Sequence, residues 1–443
     1  MAIWWLTDAI PVPATALLPL VLFPSLGVLS AADAASPYAR ELIFLFMGGF
    51  LIAAAMEKSG LHRRIALNVM GRFGASPSRL ILGFMVATAF LSMWISNTAT
   101  AAMMLPVAIA VSETLRPSNA EIPFEFGLAL MLGIAYSASI GGVATLIGSP
   151  PNAVLAASAA ELIGQEIGFG QWMMVGLPLT MVMLPIAWLL LTKWLHRPGD
   201  VSGDVASLIE TERVALGKAS QGEWVVGLVF TSTALAWLFR APKEIGDVII
   251  PGLQSFIPEI RDSTIAMAAA LLLFVIPIRS ERGGRALDWA AAKKIPWDVL
   301  VLFGGGLSLA KAMDHSGLAR WIGNSLADLG SLSALLIIAA VATLFVFLTE
   351  VTSNTATASM AMPIMASVAI PLGLPPATLM ATAALACSMA FMLPVATPPN
   401  AIVFGSNYLT IGQMSRAGFL LNLIAIAIIT AAATFLIPAI LVQ

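Results

Sequence analysis

Charged residues, cysteine and histidine are scarce in this sequence of 443 residues. Only 10% of the residues are charged, whereas about 25% are charged in an ordinary soluble domain. The single cysteine, Cys387, excludes an internal disulfide bond and a cysteine-ligated metal site. The histidines, His62, His196 and His315, stand apart in basic or polar loop sequence, where we expect interfacial side chains rather than metal ligands. A net charge of −2 without a basic tract gives no indication of a nucleic-acid partner.

Apolar residues make up most of the chain. Hydrophobic side chains account for 59% of the residues, and the mean hydropathy is +0.93. This composition is typical of a protein with several membrane-spanning helices of about 20 residues each. We therefore predict an all-α, multi-pass protein of the cell's inner membrane, surrounded by a lipid bilayer.

Two short polar motifs each occur twice in this apolar background. The sequence S-N-T-A-T lies at 96–100 and again at 353–357, an offset of 257 residues. Downstream, S-P-P-N at 149–152 is matched by T-P-P-N at 397–400. Small polar residues within apolar segments are costly unless something uses their polar groups. The duplication predicts two homologous halves, each contributing one motif of each kind to a shared site.

Each S-N-T-A-T motif is expected to form the tip of a re-entrant hairpin. In the first half the flanking segments, 80–95 and 99–111, are each too short to cross a bilayer alone. Each hairpin should be followed by a helix that the proline pair interrupts, because proline lacks an N–H donor and stops helix continuation. Counting crossings between the aligned glycine-rich spans, 41–57 and 298–313, then gives an odd number. The halves should therefore be inverted relative to each other.

Loop charge agrees with an inverted repeat. Residues 58–79 contain five basic residues and no acidic one, whereas the matching residues 311–330 contain two of each. By the positive-inside rule, the first loop is cytoplasmic and the second is external.

The hairpin tips have a chemistry suited to anions and cations together. The helix that begins at each motif offers free N–H groups and a positive dipole end to an anion. The helix that enters each tip ends in carbonyl groups, which favour a cation. Ser92 and Ser96 share one helix face, as do Thr349 and Ser353, and hydroxyl, amide and carbonyl oxygens suit a small hard cation. No arginine or lysine lies in either hairpin core or proline loop, so an anion would need co-bound cations.

Three features allow other interpretations. Serine and threonine in membrane helices often bond only to the carbonyl four residues earlier, but the duplication argues against this. The glycine runs 48–49 and 304–306 are expected to serve close helix packing. Glu350, whose counterpart is Met93, is either a proton carrier or a buried hydrogen-bonding residue.

These motifs, with the opening A-I-W-W-L-T-D-A-I-P-V-P-A-T-A-L-L-P-L-V-L-F-P, resemble the divalent anion/sodium symporter family of di- and tricarboxylate carriers over nearly the whole chain. The resemblance implies a homodimer, a static scaffold, a mobile transport domain and an elevator-type cycle. The first half has one span, 10–30, before its glycine-rich helix, and the second has two, 223–239 and 263–278. We therefore expect that the chain lacks the family's first span and most of its second. The expected parts are scaffold over 1–79; transport part over 80–196, with hairpin 80–112, broken helix 126–160 and helix 171–195; cytoplasmic linker 197–222; scaffold over 223–330; and transport part over 331–443, with hairpin 331–370, broken helix 377–407 and helix 417–441.

The resemblance also implies which residues bind ions and substrate. The first sodium site would comprise Ser92, Ser96, Asn97 and Gly148, and the second Thr349, Ser353, Asn354 and Ala396. Substrate carboxylates would contact Ser96, Asn97, Thr98, Ser149, Pro150, Ser353, Asn354, Thr355, Thr397 and Pro398. Ser149 stands where many relatives have threonine, which leaves the size of the substrate open.

We predict sodium-coupled symport of C4-dicarboxylates such as succinate, malate or fumarate, with sodium as coupling ion and no organic cofactor. Citrate or sulfate symport and sodium-independent dicarboxylate exchange are the alternatives. An enzyme is not expected, because an intramembrane hydrolase needs a catalytic dyad or metal ligands and neither H-E-x-x-H nor G-x-S-x-G occurs. A channel fits less well than a carrier, because the predicted ligands form two discrete, closed sites.

Overall fold

The protein is helical almost throughout. The computed structural model describes residues 1–7, 9–73, 76–115, 124–199, 205–245, 248–279, 284–325 and 332–442. Within these ranges the only strands form two small antiparallel pairs, β1 (Lys243–Ile245) with β2 (Val248–Ile250), and β3 (Pro277–Ile278) with β4 (Gly284–Arg285). The all-α prediction is confirmed apart from these two hairpins.

The helices of the first half are α1 (Ala2–Thr7), α2 (Val12–Thr15), α3 (Leu18–Ser25), α4 (Ala31–Ala35), α5 (Glu41–Ser59), α6 (Leu61–Met70), α7 (Pro77–Ser92), α8 (Asn97–Leu115), α9 (Glu125–Gly142), α10 (Pro150–Leu162) and α11 (Phe169–Leu189), which a π turn extends over Leu190–Leu195. A 3-10 turn at Ser36–Ala39 joins α4 to α5.

The remaining helices are α12 (Val205–Ala215), α13 (Gln221–Leu238), α14 (Asp262–Val275), α15 (Trp289–Ala292), α16 (Trp297–His315), α17 (Leu318–Ser325), α18 (Ala334–Leu348), α19 (Asn354–Ala369), α20 (Pro376–Cys387), α21 (Pro398–Phe404), α22 (Ile411–Ala431) and α23 (Ile437–Leu441). A 3-10 turn lies at Leu253–Ser255, and a π turn at Ala432–Leu436 joins α22 to α23. Among the described residues, five helical stretches are long and apolar enough to cross a membrane: Ala31–Ser59, Asn97–Leu115, Glu125–Gly142, Phe169–Leu195 and Ile411–Leu441.

The glycine-rich helices α5 and α16 run in opposite directions. We call the two ends of α5 the Arg40 end and the Lys58 end of the molecule. Lys58 pairs with Asp288 (2.8 Å), which lies shortly before α16 begins. Lys311, near the other end of α16, pairs with Asp33 (2.9 Å), a few residues before Arg40. The two halves are therefore inverted, as the sequence predicted.

The first hairpin enters and leaves at the Lys58 end. Helices α7 and α9 pack in parallel, since Gly133 lies against Met85 and Gly141 against Ala89. Helix α8 returns to the end where α9 begins, because Glu113 near the end of α8 and Gly127 near the start of α9 both lie against Tyr408. The broken helix α9–α10 then crosses to the Arg40 end, where Glu161 forms an ion pair with Arg40.

The second hairpin mirrors the first from the Arg40 end. Helices α18 and α20 end together, since Thr349 Oγ1 donates to the Cys387 carbonyl (3.1 Å). The loop after α21 lies near the end of α8, because the Tyr408 hydroxyl donates to Glu113. Helices α22 and α23 return to the Arg40 end, where Gln171 Nε2 donates to the Ile440 carbonyl (2.9 Å).

Three expectations need correction. Helix α8 has 19 residues and does not stop near Val111. The evidence for a hairpin is therefore the direction in which α7 and α8 run, and not that these helices are too short to cross the membrane. The proline pairs do not end the preceding helices; they occupy the first turn of α10 and α21, where a missing N–H costs nothing. The linker 197–222, whose charge and poor periodicity predict a loop, contains α12, and Glu212 of this helix pairs with Arg63 (2.5 Å). Each of the five predicted parts includes residues that lie outside the described ones, namely 8, 74–75, 116–123, 200–204, 246–247, 280–283, 326–331 and 443.

The glycine runs serve close packing, as predicted. Gly48 lies against Ala266 of α14, and Gly305 lies against the backbone of Ala16, just after α2. A Cβ atom at Gly305 would collide with the Ala16 carbonyl group. Residues 10–30 do not form one continuous helix; they are broken into α2 and α3, and this stretch contains four prolines.

Candidate binding site at the two hairpin tips

Tip 1, residues 93–96, brings together several oxygen atoms. The fully buried Ser92 Oγ donates to the Ala138 carbonyl (2.7 Å) and lies 2.5 Å from the Asn97 side chain. With its amide nitrogen turned toward the carbonyls, Asn97 donates to Ala138 O (3.2 Å) and to Gly148 O (3.1 Å). Three of the four residues predicted for the first sodium site therefore meet in one cluster.

Gly148 permits this close approach of oxygens. A Cβ atom there would lie 3.0 Å from the carbonyl oxygens of Ser92 and Met93, and 2.5 Å from that of Gly142. The surroundings of Gly148 thus consist of uncharged groups: backbone carbonyl oxygens, the Thr145 hydroxyl and the Asn97 amide. Hard oxygen donors of this kind fit a small hard cation, so the residues present suit sodium.

Tip 2, residues 349–353, repeats the arrangement. Thr349 Oγ1 lies 2.6 Å from Asn354 Oδ1 and 3.1 Å from the Cys387 carbonyl, which corresponds to the Ser92, Asn97 and Ala138 contacts of tip 1. Ala396 is buried directly before Thr397. The same three kinds of polar group, a hydroxyl, a side-chain amide and a carbonyl near the end of a helix, are therefore placed twice.

The Ser96 and Ser353 hydroxyls have a different local role. Ser96 Oγ accepts a hydrogen bond from Ala99 N (3.2 Å), and Ser353 Oγ accepts one from Ala356 N (3.5 Å). Each serine therefore caps the helix that leaves its tip. The hydroxyls that form these caps are the ones that we predicted to bind sodium or substrate. The backbone carbonyl of each serine accepts a helix hydrogen bond, from Thr100 N at tip 1 and from Thr357 N at tip 2.

The asparagines of the proline motifs hold the unwound segments, which we call loop 1 (143–149) and loop 2 (388–397). The Asn152 Nδ2 atom donates to the carbonyls of Gly142 (3.1 Å), Val143 (3.3 Å) and Thr145 (2.8 Å). Asn400 Nδ2 donates at the same spacing, to Ala390 (3.3 Å) and Leu393 (3.0 Å). We predicted no role for either side chain from the sequence. Their equivalent positions in the duplicated motif could have indicated that the two asparagines serve the same purpose in each half.

Loops 1 and 2 meet at the centre of the molecule. The Ser149 and Ser388 hydroxyls, both buried, lie 3.0 Å apart, whereas Thr397 Oγ1 accepts a hydrogen bond from Asn400 N (3.3 Å). The predicted substrate residues differ in exposure: Thr98 and Pro398 are exposed; Ser96, Asn97, Pro150, Ser353 and Asn354 are half-buried; and Ser149, Thr355 and Thr397 are buried.

Glu350 is the acceptor that holds loop 2. Its carboxylate accepts hydrogen bonds from three successive backbone N–H groups, those of Phe391 (2.7 Å), Met392 (3.0 Å) and Leu393 (3.2 Å). Asn422 Nδ2 on α22 donates to it as well (2.7 Å). These contacts support the hydrogen-bonding interpretation of Glu350. Tip 1 has no carboxylate at the matching position; there the Thr145 hydroxyl of loop 1 lies 2.5 Å from the Met93 carbonyl.

A cavity of about 480 Å³ reaches tip 1 from the Lys58 end. Ser96 and Ala99 form its inner wall, and Glu57, Lys58 and Lys294 line it as well. Small anions in solution at the Lys58 end thus have a route to tip 1. Among the described residues, no group of three or more histidine, cysteine, aspartate or glutamate side chains could hold a metal ion.

Comparison with known proteins agrees with this architecture. The model of the family described as the sodium:sulfate symporter transmembrane region matches residues 1–442. The sodium-dependent dicarboxylate transporter SdcS of Staphylococcus saprophyticus is 41% identical, and that of a bovine strain of Staphylococcus aureus is 43% identical. Each alignment covers 100% of this chain and 85% of the relative.

Two solved structures share the fold at low sequence identity. The Alcanivorax borkumensis YdaH transporter has a TM-score of 0.61 at 15% identity, covering 94% of this chain and 88% of that chain. Neisseria gonorrhoeae MtrF has a TM-score of 0.60 at 13% identity, covering 94% and 84%. Together with the inverted halves and the paired tips, the family match over residues 1–442 leads to one conclusion: this chain is a membrane transport protein, not an enzyme, and belongs to the sodium:sulfate symporter transmembrane family.

Proposed function

We propose that the protein is a secondary active transporter that carries C4-dicarboxylates of the succinate, malate and fumarate type together with sodium. The observation that carries the proposal is the repeated pairing of a hydroxyl with an asparagine amide, Ser92 with Asn97 at tip 1 and Thr349 with Asn354 at tip 2. Relatives at 41% and 43% identity are named sodium-dependent dicarboxylate transporters, which favours this substrate and this ion.

The lack of basic side chains at the tips explains why transport would be coupled to a cation. A dicarboxylate would be held there by the N-termini of α8 and α19, by hydroxyls and amides, and by the bound sodium ions. At an effective dielectric constant of ~20, a cation about 5 Å from a carboxylate contributes about 3 kcal/mol. This corresponds to roughly a hundredfold mutual increase in affinity, which is the coupling that symport requires.

The proposed ligands are those that the family resemblance implies. The first sodium ion would be bound by Ser92, Ser96, Asn97 and Gly148, and the second by Thr349, Ser353, Asn354 and Ala396. The Ser96 and Ser353 hydroxyls cap helices in this structure. Each serine would therefore bind its sodium ion through its hydroxyl or its carbonyl oxygen, whichever has no hydrogen bond when the ion is bound. Substrate would contact the tip residues Ser96, Asn97, Thr98, Ser353, Asn354 and Thr355, and the loop residues Ser149, Pro150, Thr397 and Pro398.

The transport cycle would move one part of the molecule against the other. The scaffold would comprise residues 1–79 and 223–330, and the transport domain residues 80–196 and 331–443, in a homodimer in the inner membrane. The excess of basic residues over 58–79 favours a cytoplasmic position for the Lys58 end. The cavity beside Ser96 would then open to the cytoplasm.

Uptake into proteoliposomes tests this function. Radiolabelled succinate should accumulate when a sodium gradient is applied, should not accumulate with a potassium gradient, and should saturate. Excess citrate and excess sulfate, added separately, should compete poorly. Accumulation without sodium into vesicles preloaded with succinate would show exchange instead of symport, and stronger competition by sulfate would assign sulfate as the substrate.

A further inference from the structure

A deep apolar groove lies at the Lys58 end, outside the candidate binding site. Its volume is about 770 Å³, and it runs between α6 and α13. Leu61, Ile65 and Val69 form the α6 wall, and Trp224, Leu228 and Phe230 form the α13 wall. Trp224 and Leu228 are 72% and 70% exposed. A concave, apolar surface of this size in a membrane protein accommodates hydrocarbon chains.

One end of the groove has an uncompensated positive charge. Arg64 lines the groove, but its charge is neutralised by Glu223, with 2.6 Å between Nε and Oε1. Arg72 also lines the groove, is exposed, and has neither an ion pair nor a hydrogen bond from its side chain to any described residue. Among the described residues that line the groove, Glu223 is the only acidic one, and Arg64 already pairs with it.

The position of the groove places Arg72 at the level of lipid headgroups. Helix α6 is short and packs its apolar side on the protein, with Ala66, Leu67 and Met70 buried, while Arg63 is exposed toward Glu212. Because exposed charged side chains lie at the membrane interface and not in the hydrocarbon core, we place α6 at the interface. Trp224 is in the first turn of α13, and tryptophan is enriched at the same level. A guanidinium group at this depth beside an apolar channel is complementary to a phosphate with an attached acyl chain.

We propose that this groove is a binding site for an anionic phospholipid, with its phosphate on Arg72 and an acyl chain along α13. The groove is lined by α6 and α13 and also by Phe90 of the first hairpin. A lipid bound there would therefore contact the connection between α5 and the hairpin. The proposal does not depend on which substrate the protein carries.

Native mass spectrometry of the full chain in detergent tests the proposal. The delipidated protein receives equal amounts of dioleoyl phosphatidylglycerol and dioleoyl phosphatidylcholine, and the bound lipids are counted. Phosphatidylglycerol should be retained preferentially. Arg72→Gln should weaken its retention about fivefold, the effect expected for one basic side chain near an anionic lipid. Arg79→Gln, which removes an exposed charge of the same basic stretch outside the groove, should leave retention unchanged.

A second variant tests the apolar part of the groove. Gly227 lines the groove, and a Cβ atom there meets only Leu61 at 3.5 Å, so Gly227→Leu should fold and fill the space. Phosphatidylglycerol retention should fall in this variant, and excess inorganic phosphate should not displace the lipid from the wild type. Equal retention of both lipids, equal effects of Arg72→Gln and Arg79→Gln, or displacement by phosphate alone would each overturn the proposal.

Discussion

At the scale of single residues, the two tips use the same chemical groups at equivalent positions. Ser92 and Thr349 each place a hydroxyl next to the side chain of an asparagine and next to a carbonyl near the end of a helix. The halves differ in how the neighbouring loop is held. Loop 1 depends on the Thr145 hydroxyl, whereas loop 2 depends on the Glu350 carboxylate. The two proposed sodium sites should therefore respond differently to mutation of the groups around them.

Removing an asparagine from either tip should weaken sodium dependence. Asn97→Ala and Asn354→Ala each remove the side-chain amide whose oxygen is a proposed ligand of a buried ion, and an interaction with a charged group contributes about 1.5–3 kcal/mol. We expect the sodium concentration for half-maximal uptake to rise roughly tenfold or more in either variant. Asn324→Ala, on an exposed position of α17, is the matched control. Unchanged sodium titrations in both tip variants would refute the two-site interpretation.

Replacing Glu350 by glutamine should disturb loop 2. The new amide nitrogen replaces one of the two accepting oxygens, so the hydrogen bond from either Phe391 N or Leu393 N is lost, and each buried donor left unpaired costs about 1–3 kcal/mol. We expect a lower melting temperature and a higher sodium requirement, with a smaller change in the same direction for Asn422→Ala. A proton carrier would behave differently, because Glu350→Gln would then keep its sodium titration and lose only the pH dependence of uptake.

At the scale of the elements, close helix contacts determine where the tips lie. Gly48 and Gly305 occupy aligned positions in α5 and α16, and each lies against a neighbouring element, α14 in one case and the end of α2 in the other. The interrupted helices depend on backbone carbonyls held by Asn152 and Asn400. The position of each tip thus depends on packing around the glycines and on a single side chain in each loop.

A methyl group at Gly305 should be poorly tolerated. Because its Cβ atom would collide with the backbone at Ala16, α16 must move for Gly305→Ala to fold. We expect a lower melting temperature and lower yield in detergent. Gly412→Ala is the matched control, since nothing lies within 4 Å of a Cβ atom there, and alanine favours a helix by about 1 kcal/mol over glycine. Equal stability of the two variants would contradict the packing role of Gly305.

At the scale of the whole molecule, the halves are inverted, and the two loops that follow α5 and α16 lie at opposite ends. Lys58 marks one end and Asp33 with Lys311 the other. This arrangement places one hairpin at each end, with both tips directed toward the middle. It meets the geometric requirement of alternating access, in which a central site is exposed first at one end and then at the other.

Cysteine labelling measures this topology in intact cells. Ser76 and Ser316 are exposed at opposite ends, and the only native cysteine, Cys387, is fully buried. In a Cys387→Ala background, an impermeant maleimide should label Ser316→Cys from outside, whereas Ser76→Cys should react only after the cells are opened. Labelling of both positions from one side would contradict the inverted arrangement.

Much of this architecture follows from the sequence alone. Composition determines a helical membrane protein, and the offset of 257 residues between the S-N-T-A-T motifs determines that there are two halves. Loop charge and the crossing count then indicate inversion. These features can be predicted because they depend on periodicity, repetition and local charge, which are recognised in a sequence without knowing which distant residues are in contact.

Only the tertiary structure decided how the distant polar groups pair. The contact between Ser149 and Ser388 joins positions 239 residues apart, and that between Glu350 and Asn422 joins positions 72 residues apart. Local sequence cannot reveal such pairs, because it does not show which distant residues come into contact. A single carboxylate in an apolar segment is therefore equally consistent with a proton carrier and with a hydrogen-bond acceptor. Folding removes the ambiguity: a buried carboxylate must find donors, and here three consecutive N–H groups of loop 2 supply them.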